Sequence, residues 1–387
     1  MLRSVLTLVS ALSLGALALP ELAFAQELVL DPEPFIEVNE LTQGPDSELY
    51  RVLDAQLLAD GRLVLLNAGT QEIRIYDPSG ALVARAGRRG QGPGEFTVPV
   101  SLRAYVDGSI HVFDRGTARV TVFDPDLEVQ ETHRLSGVGS NRFPVGNSMR
   151  PMRDGGVPRA LSLRSVYDLA SSGPGLRTDS LRLVIDHPVE GVTELAREAL
   201  VDRFRLSDGI GISPAIPFGP RALVGAGPDA VVLGTTHSRE FQVIDASGRS
   251  VRTIHAEGRL REVRPEDWAV FQDSALARSA QAVTPLGPDP RLGRLHRRFL
   301  REAPRHPTYP IFRALRVGDA GTLWLEQAEA GPSGDRIWQR VDAEDRVARL
   351  SLPPSWRPIG FGADHVIVRK EDEYGVESVF VYAFRPR

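Results

Sequence analysis

The sequence predicts an all-β protein: a six-bladed β-propeller of four-stranded antiparallel blades, with a helical hairpin inserted between blades four and five. Three observations predict it, namely a tight-turn motif spaced by 47 residues in its clearest copies, a second motif that follows it, and strand-like alternation in both. A repeat of roughly 40 to 50 residues carrying four strands is typical of a propeller blade. One blade cannot cover its own apolar faces, so the blades are expected to stack radially into a ring.

Residues 1–25 have the pattern of a secretory signal and are expected to lie outside the fold. Arg3 supplies a short positive region, residues 4–19 are uncharged and mostly apolar, and Ala23 and Ala25 are the small residues of a cleavage site. The apolar run is shorter than the roughly 20 residues that span a bilayer. We therefore expect a periplasmic or secreted protein, residues 26–387, with no transmembrane segment after cleavage.

The first recurring motif is a turn pair followed by an apolar, alternating run. Asp60-Gly61 opens the clearest copy, and the same pair recurs 47 and 94 residues later. Such pairs ahead of β-branched or apolar residues predict β-hairpins. The copies lie at residues 60–65, 107–112, 154–157, 228–232, 319–324 and 362–367.

The second motif is a run of alternating residues that ends in an aspartate and a turn. Residues 73–80 (Ile-Arg-Ile-Tyr-Asp-Pro-Ser-Gly) give the clearest copy, and others lie at residues 120–127, 181–186, 241–248 and 338–345. A short strand follows, which completes a four-stranded meander. The last unit, residues 359–384, has room for three strands only. We expect residues 35–38, within an N-terminal closing segment 27–41, to supply its fourth strand and close the ring.

Two longer spacings indicate insertions. The 75 residues between the third and fourth turn copies include Ser171-Ser172-Gly173-Pro174-Gly175, which predicts a long loop. The 90 residues before the next copy contain residues 264–304, where proline and acids begin one amphipathic helix and a Pro/Gly-rich break precedes a second. This helical hairpin is expected to lie across one mouth of the ring.

The joint between the first two units resembles a known repeat. Residues 90–99 (Gly-Gln-Gly-Pro-Gly-Glu-Phe-Thr-Val-Pro) are similar to the Gly-x-Gly-Pro-Gly-x-Phe-x-x-Pro joint of NHL-type repeats, and residues 112–124 resemble the strand pair inside one. Over residues 49–135 the chain thus resembles the NHL-repeat-like exported bacterial six-bladed propellers. The resemblance implies a binding platform, since such propellers mostly recognise partners, although a few related rings are enzymes.

A stripe of arginines on the second predicted helix is the main candidate for a binding site. Arginines at positions 291, 294, 298 and 301 follow spacings of three, four and three, which places them on one helix face. Guanidinium groups pair bidentately with carboxylate or phosphate. The alternative is an ordinary solvated face in an arginine-rich protein. The candidate binding residues are Arg294, Arg298, Arg301, Arg305, His306, Arg88 and Arg89.

Other catalytic and metal chemistry has little support in the sequence. The glycines around Arg88 and Arg89 lack the lysine of a phosphate-binding loop, and the eight histidines lack metal-ligand spacing. Calcium lactonases on similar rings begin their first blade with Glu-Gly-Pro, where the glutamate binds the metal. This chain has Gln43-Gly44-Pro45 there, which removes a charged ligand. We assign no catalytic residue, metal or cofactor.

These observations predict an exported propeller that acts as a binding or scaffolding module at one face of the ring. The expected partner is an anionic small molecule, a glycan or a protein; a net charge of −4 gives no signal for nucleic acid. The alternative is a metal-dependent, lactonase-like hydrolase or lyase with its site at the central tunnel. A partner in the assembly of a membrane complex is a third possibility.

Overall fold

The structure is a computed structural model that describes residues 26–39, 48–136, 150–162, 173–207, 214–281, 283–284, 287–288, 290–331 and 333–387. The predicted signal segment and Gln43 lie outside the described residues. The described chain is all-β apart from two helices, and its small antiparallel sheets are arranged as a propeller. The propeller fold predicted from the repeats is therefore confirmed.

The first two sheets are four-stranded meanders, β3 to β6 and β7 to β10, in which the first three strands are largely buried and the fourth is the most exposed. The strands up to this point are β1 (Gln26–Leu30), β2 (Ile36–Val38), β3 (Val52–Leu57), β4 (Leu63–Asn67), β5 (Glu72–Tyr76), β6 (Leu82–Ala86), β7 (Pro99–Ala104), β8 (Ile110–Asp114), β9 (Arg119–Phe123) and β10 (Val129–Arg134). The first strands of neighbouring sheets contact one another, β3 with both β7 and β24, which places the first strand of each sheet nearest the centre of the ring.

The third sheet differs from the predicted four-stranded meander in its described residues, whereas the fourth sheet is a regular four-stranded meander. Three strands of the third sheet are described, and two of them are long. Gly175 begins one of these strands, so the predicted loop is wrong at that end, and residues 171–172 lie outside the described residues. The strands are β11 (Val157–Ser162), β12 (Gly175–His187), β13 (Gly191–Arg205), β14 (Ala222–Ala226), β15 (Ala230–Thr235), β16 (Glu240–Asp245) and β17 (Ser250–His255).

Two helices follow the fourth sheet. The segment comprises α1 (Pro265–Gln281), β18 (Val283–Thr284), β19 (Gly287–Pro288) and α2 (Pro290–Glu302). Ala275 of α1 and Phe299 of α2 are buried together with Leu206, and Phe204 at the end of β13 packs against them. The helical hairpin therefore rests on the outer hairpin of the third sheet.

The last strands form one nine-stranded sheet in which the two ends of the chain meet. It contains two antiparallel groups, β20–β23 and β24–β26, joined by β1, which pairs in parallel with β23 and antiparallel with β26. Strand β2 pairs antiparallel with β26. The strands are β20 (Phe312–Val317), β21 (Leu323–Gln327), β22 (Arg336–Val341), β23 (Val347–Leu352), β24 (Arg357–Phe361), β25 (His365–Glu371) and β26 (Glu377–Pro386).

The aspartates of the second motif shape the outer hairpins. Asp77 Oδ1 accepts hydrogen bonds from the backbone N–H groups of Ser79 and Ala81, at 2.9 and 3.0 Å. The aspartates at positions 124, 245 and 342 accept equivalent bonds from the residues two and four places later. A short carboxylate that binds its own following backbone is a turn-forming device, which explains the recurrence of aspartate here.

Polar side chains bind the backbone of the innermost strands from neighbouring sheets. Gln56 of β3 donates to the Ala104 carbonyl (2.8 Å) and accepts from its N–H (3.0 Å). Between the last and first sheets, Glu377 accepts from the N–H of Val52 (2.7 Å) and Arg369 donates to its carbonyl (2.9 Å). These bonds satisfy backbone groups that no strand partner reaches in the centre of the ring.

Candidate functional site

A buried ion cluster lies at the centre of the ring. Arg150 donates from Nη2 to Asp54 Oδ1 (2.8 Å) and from Nε to Asp54 Oδ2 (3.0 Å), and its Nη1 lies 3.4 Å from Asp319 Oδ1. Burial alone would lower the pKa of Arg150, but the two carboxylates raise it above its ordinary value. Burial raises the pKa of Asp319. Arg150 is therefore held as a cation, while Asp319 is a weaker acid than an ordinary aspartate.

Two further arginines join the inner segments through backbone carbonyls. Arg103, which is 2% exposed, donates to Pro151 (2.8 Å) and Ala226 (2.5 Å). Arg316 donates to Ile359 (3.3 Å). Burial lowers the pKa of Arg103 to about 10 and also lowers that of Arg316. Among the described residues neither has a carboxylate partner, so the centre carries more positive than negative charge.

A cavity of about 470 Å³ opens above this cluster, at the N-terminal ends of the innermost strands. Its lining combines apolar side chains with six arginines and only two carboxylates among the described residues. The charged lining residues are Asp54, Arg115, Arg150, Arg316, Glu326, Arg336, Arg357 and Arg369. Positive charge that converges on a partly apolar hollow suits an anionic ligand.

Both carboxylates of the cavity already face arginine. Asp54 holds Arg150, and Glu326, which is 2% exposed, receives two hydrogen bonds of 2.9 Å from Arg336. In contrast, Arg115 and Arg357 are exposed and have no carboxylate partner in the described part of the chain. Arg357 is held by backbone alone, donating to the carbonyls of Pro354 (2.7 Å) and Trp356 (3.4 Å). These two guanidinium groups are thus able to receive an anion.

A smaller cavity of about 230 Å³ lies at the opposite ends of the same strands. Gln56, Arg103, Tyr105 and Asp319 line it. Burial raises the pKa of Tyr105 above its ordinary value, so its hydroxyl, which donates to the Pro151 carbonyl (3.1 Å), keeps its proton. The buried ion cluster therefore separates two hollows at the two mouths of the ring.

The structure places the predicted binding residues away from the larger cavity, and none of the seven lines it. Arg294 and Arg301 are exposed on α2, and Arg298 donates to Glu302 (2.6 Å) and to Ser207 (3.1 Å). The arginine stripe therefore lies on the helical hairpin that packs against the third sheet. Binding of an anion by this stripe remains a prediction.

The remaining predicted residues fall into two separate places. Arg305 lies over the Trp268 ring, 5.3 Å from its centroid, and the ring of His306 meets that of His237 at 4.6 Å. Arg88 pairs with Glu95 (2.7 Å) in the loop between β6 and β7, and Arg89 forms a backbone bridge with Phe96 in the same loop. The structure does not bring these two groups together.

The sequence analysis missed the arginines at the centre, although the repeat marks them. Arg103, Arg150 and Arg316 each stand five residues before the turn glycine of their own unit. Gln56 occupies the same position ahead of Gly61. A position that comes from the innermost strand of each unit converges on the ring axis, so comparing this position between repeats would have identified the cluster.

No family model matches the chain, and no curated protein matches it. Among solved structures the chain is similar to a DUF4221-family protein of Bacteroides vulgatus, with a TM-score of 0.51 and 9% identity over 94% of this chain and 100% of that one. A Bacteroides fragilis protein whose name assigns it to export gives a TM-score of 0.48, 13% identity, and coverage of 93% and 95%. Virginiamycin B lyase from Staphylococcus aureus gives 0.40, 10%, and 92% and 99%. Sequence identities this low support a similarity of fold only. The support comes from the DUF4221-family structure, whose TM-score exceeds 0.5.

Proposed function

We propose that this protein is an exported propeller that binds an anionic small molecule, a carboxylate or phosphate, in the arginine-lined cavity. The observation that carries the proposal is that three of the six arginines around a hollow of about 470 Å³, Arg115, Arg316 and Arg357, have no carboxylate partner among the described residues. Arg115 and Arg357 supply guanidinium groups without carboxylate partners among the described residues. Apolar neighbours such as Val100 and Ile359 exclude water and strengthen charge pairing.

We infer a ring of six blades of the NHL type. The inference is supported by apolar clusters between consecutive sheets all the way around the described chain, including Ile36 and Val381 of the last sheet with Val52 and Leu65 of the first. The two antiparallel groups of the nine-stranded sheet count as separate blades in this scheme, bridged by β1. The glycine-rich joint at residues 90–99 supports the NHL type.

Export is proposed from the signal pattern of residues 1–25. Within the described residues, no helix is both long and apolar enough to cross a membrane. The mature chain would then act in the periplasm or outside the cell.

A metal-dependent hydrolase or lyase is the alternative, and the charges of the cavity support it less. A hard cation prefers several carboxylate oxygens. Asp54 and Glu326 are each engaged by an arginine through two hydrogen bonds, so a cation would have to displace a guanidinium group and then face the remaining arginines. The same arginines would attract an anion.

A thermal-shift panel tests the proposal with residues 26–387. Citrate, inorganic phosphate and glucuronate are compared with glucose, and a ligand at 100 times its Kd adds about 2.7 kcal/mol of stability. Since such anions also stabilise proteins non-specifically, the matched control is the double variant Arg115→Gln/Arg357→Gln. We expect a larger increase in Tm for the native chain than for this variant with at least one anion. Equal shifts for both proteins with every anion would contradict the proposal.

A further inference from the structure

Lys370 is the sole lysine among the 46 lysine and arginine residues of the chain, and its ammonium group lies in a cage of aromatic rings. Nζ is 3.9 Å from the ring centroids of Trp356 and Phe380 and 4.9 Å from that of Tyr382. It also donates a hydrogen bond to the Tyr382 hydroxyl (2.7 Å). A cation over an aromatic face contributes from about 0.5 kcal/mol when exposed to about 2 kcal/mol when desolvated, so several rings around one ammonium make a strong local anchor.

The cage fixes the turn that leads into the arginine-lined cavity. The Trp356 ring stacks on Tyr382 with centroids 4.7 Å apart, while its neighbours Pro354 and Ser355 are exposed. The backbone of the same turn faces the cavity arginines: the Trp356 carbonyl accepts from Arg336 (3.0 Å) and Arg357 (3.4 Å). One residue thus contacts the lysine with its ring and the cavity with its carbonyl.

We propose that Lys370, which lies outside the cavity, positions Arg357 for anion binding by clamping Trp356. The described partners of the Arg357 guanidinium are two carbonyls of this turn, so its position depends on where the turn is held. Arg336 is additionally fixed by Glu326 and depends on the turn less. The inference rests on the proposed anion-binding function, and it assigns Lys370 as a positioning residue without ligand contact.

The clamp predicts a pH dependence of a defined sign. Burial lowers the pKa of Lys370 from its ordinary value, so the cage loses its cation at a lower pH than an exposed lysine would. The other titratable groups that act on the cage are Tyr382, whose pKa burial raises, and the side chains of Glu33 and Glu37. Anion affinity should therefore fall as pH rises through the pKa of Lys370.

Calorimetric titration with citrate tests the clamp on residues 26–387. Native chain, Lys370→Met and Lys370→Arg are compared from pH 7 to 10, with Arg249→Met as a control that removes one exposed positive charge elsewhere. We expect Lys370→Met to weaken citrate binding at pH 7 by about fivefold, on the scale of one lost cation–π contact. Lys370→Arg should keep the affinity within about twofold of the native value and abolish its fall at high pH, since arginine stays charged.

Each outcome decides between the two proposals. If the native chain binds citrate and both the Lys370→Met affinity and the native pH profile match those of Lys370→Arg, the clamp is wrong while the cavity stands. If the native chain binds none of citrate, phosphate and glucuronate, the proposed function fails and the clamp fails with it. Should Lys370→Met melt at a much lower temperature, the comparison of native and Lys370→Arg pH profiles carries the test.

Discussion

The guanidinium group of Arg150 meets both carboxylate oxygens of Asp54 at the centre of the ring, although 96 residues separate them. Asp54 is 4% exposed and Arg150 is 8% exposed. The pair joins the first sheet to the segment that leads into the third, and it also lies in the floor of the arginine-lined cavity. Ring stability and anion binding therefore share one structural element.

Replacing Arg150 with methionine should strongly destabilise the ring. The change leaves the Asp54 carboxylate buried without its partner, which typically costs about 3–5 kcal/mol. Urea denaturation followed by tryptophan fluorescence measures the free energy of unfolding. The double variant Asp54→Asn/Arg150→Met removes the orphaned charge and should recover part of the loss. A single variant as stable as the native chain would show that the pair contributes nothing.

Removing residues 26–39 should lower the melting temperature by many degrees. The deletion takes away β1 and β2 and leaves the edges of β23 and β26 unpaired, and it uncovers the cluster that contains Ile36 and Val38. Differential scanning calorimetry measures the effect, with Glu33→Ala in the loop between the two strands as a mild control. An unchanged melting temperature after the deletion would contradict closure of the ring by the N-terminal segment.

His111 should make the protein less stable at acidic pH. Burial lowers the pKa of His111 to about 4, whereas the unfolded chain has the ordinary value of 6.5. The unfolded state therefore binds the proton first, and the contribution of this residue to stability is lost as pH falls from 6.5 towards 4, by about 1.4 kcal/mol per unit. The variant His111→Phe should show a shallower fall over this interval. Parallel curves for the two proteins would refute the assignment.

Excision of the helical hairpin should leave a folded propeller. The ends of the segment lie together, since the Val263 N–H donates to the Pro307 carbonyl (2.8 Å), so a short Gly-Ser linker can replace residues 264–304. The loss of contacts to Phe204 and Leu206 lowers the melting temperature, and circular dichroism should retain the strand signal. Because no described helical residue lines the cavity, citrate affinity should change by less than about twofold. A complete loss of fold would show that the hairpin is part of the core.

The repeat could be recognised in the sequence because its turns are stabilised by side chains that bond to the backbone of the next few residues. Asp60-Gly61 and Asp77 form turns with their own neighbouring backbone, so spacing alone located the hairpins. The N-terminal strand was also predictable, because residues 36–38 alternate and the last unit lacked a strand; β2 pairs with β26. The length of β12 and β13 was not predicted, because residues 171–175 were interpreted as part of a long loop, whereas Gly175 begins β12.

The cavity was not predictable from composition. In a chain with 46 basic residues, an arginine is most simply interpreted as a solvent-exposed surface residue. The acceptors of Arg103 and Arg150 lie in other parts of the chain, up to 169 residues away, so the folded ring shows directly that both arginines are buried and hydrogen-bonded. The arginines of α2 recur at helical spacing, which is visible in the sequence, whereas the burial of the central arginines is not. The binding site was therefore predicted on α2.

The most direct test of the central claim is calorimetric titration of residues 26–387 with citrate at pH 7 and low salt. The native chain is compared with the cavity variant Arg115→Gln/Arg357→Gln and with the helix variant Arg298→Ala/Arg301→Ala. We predict at least about a tenfold loss of affinity for the cavity variant, since a hydrogen bond to a charged group contributes about 1.5–3 kcal/mol, and a change below about twofold for the helix variant. The reverse order, with affinity lost in the helix variant and kept in the cavity variant, would contradict the account and place the anion site on α2.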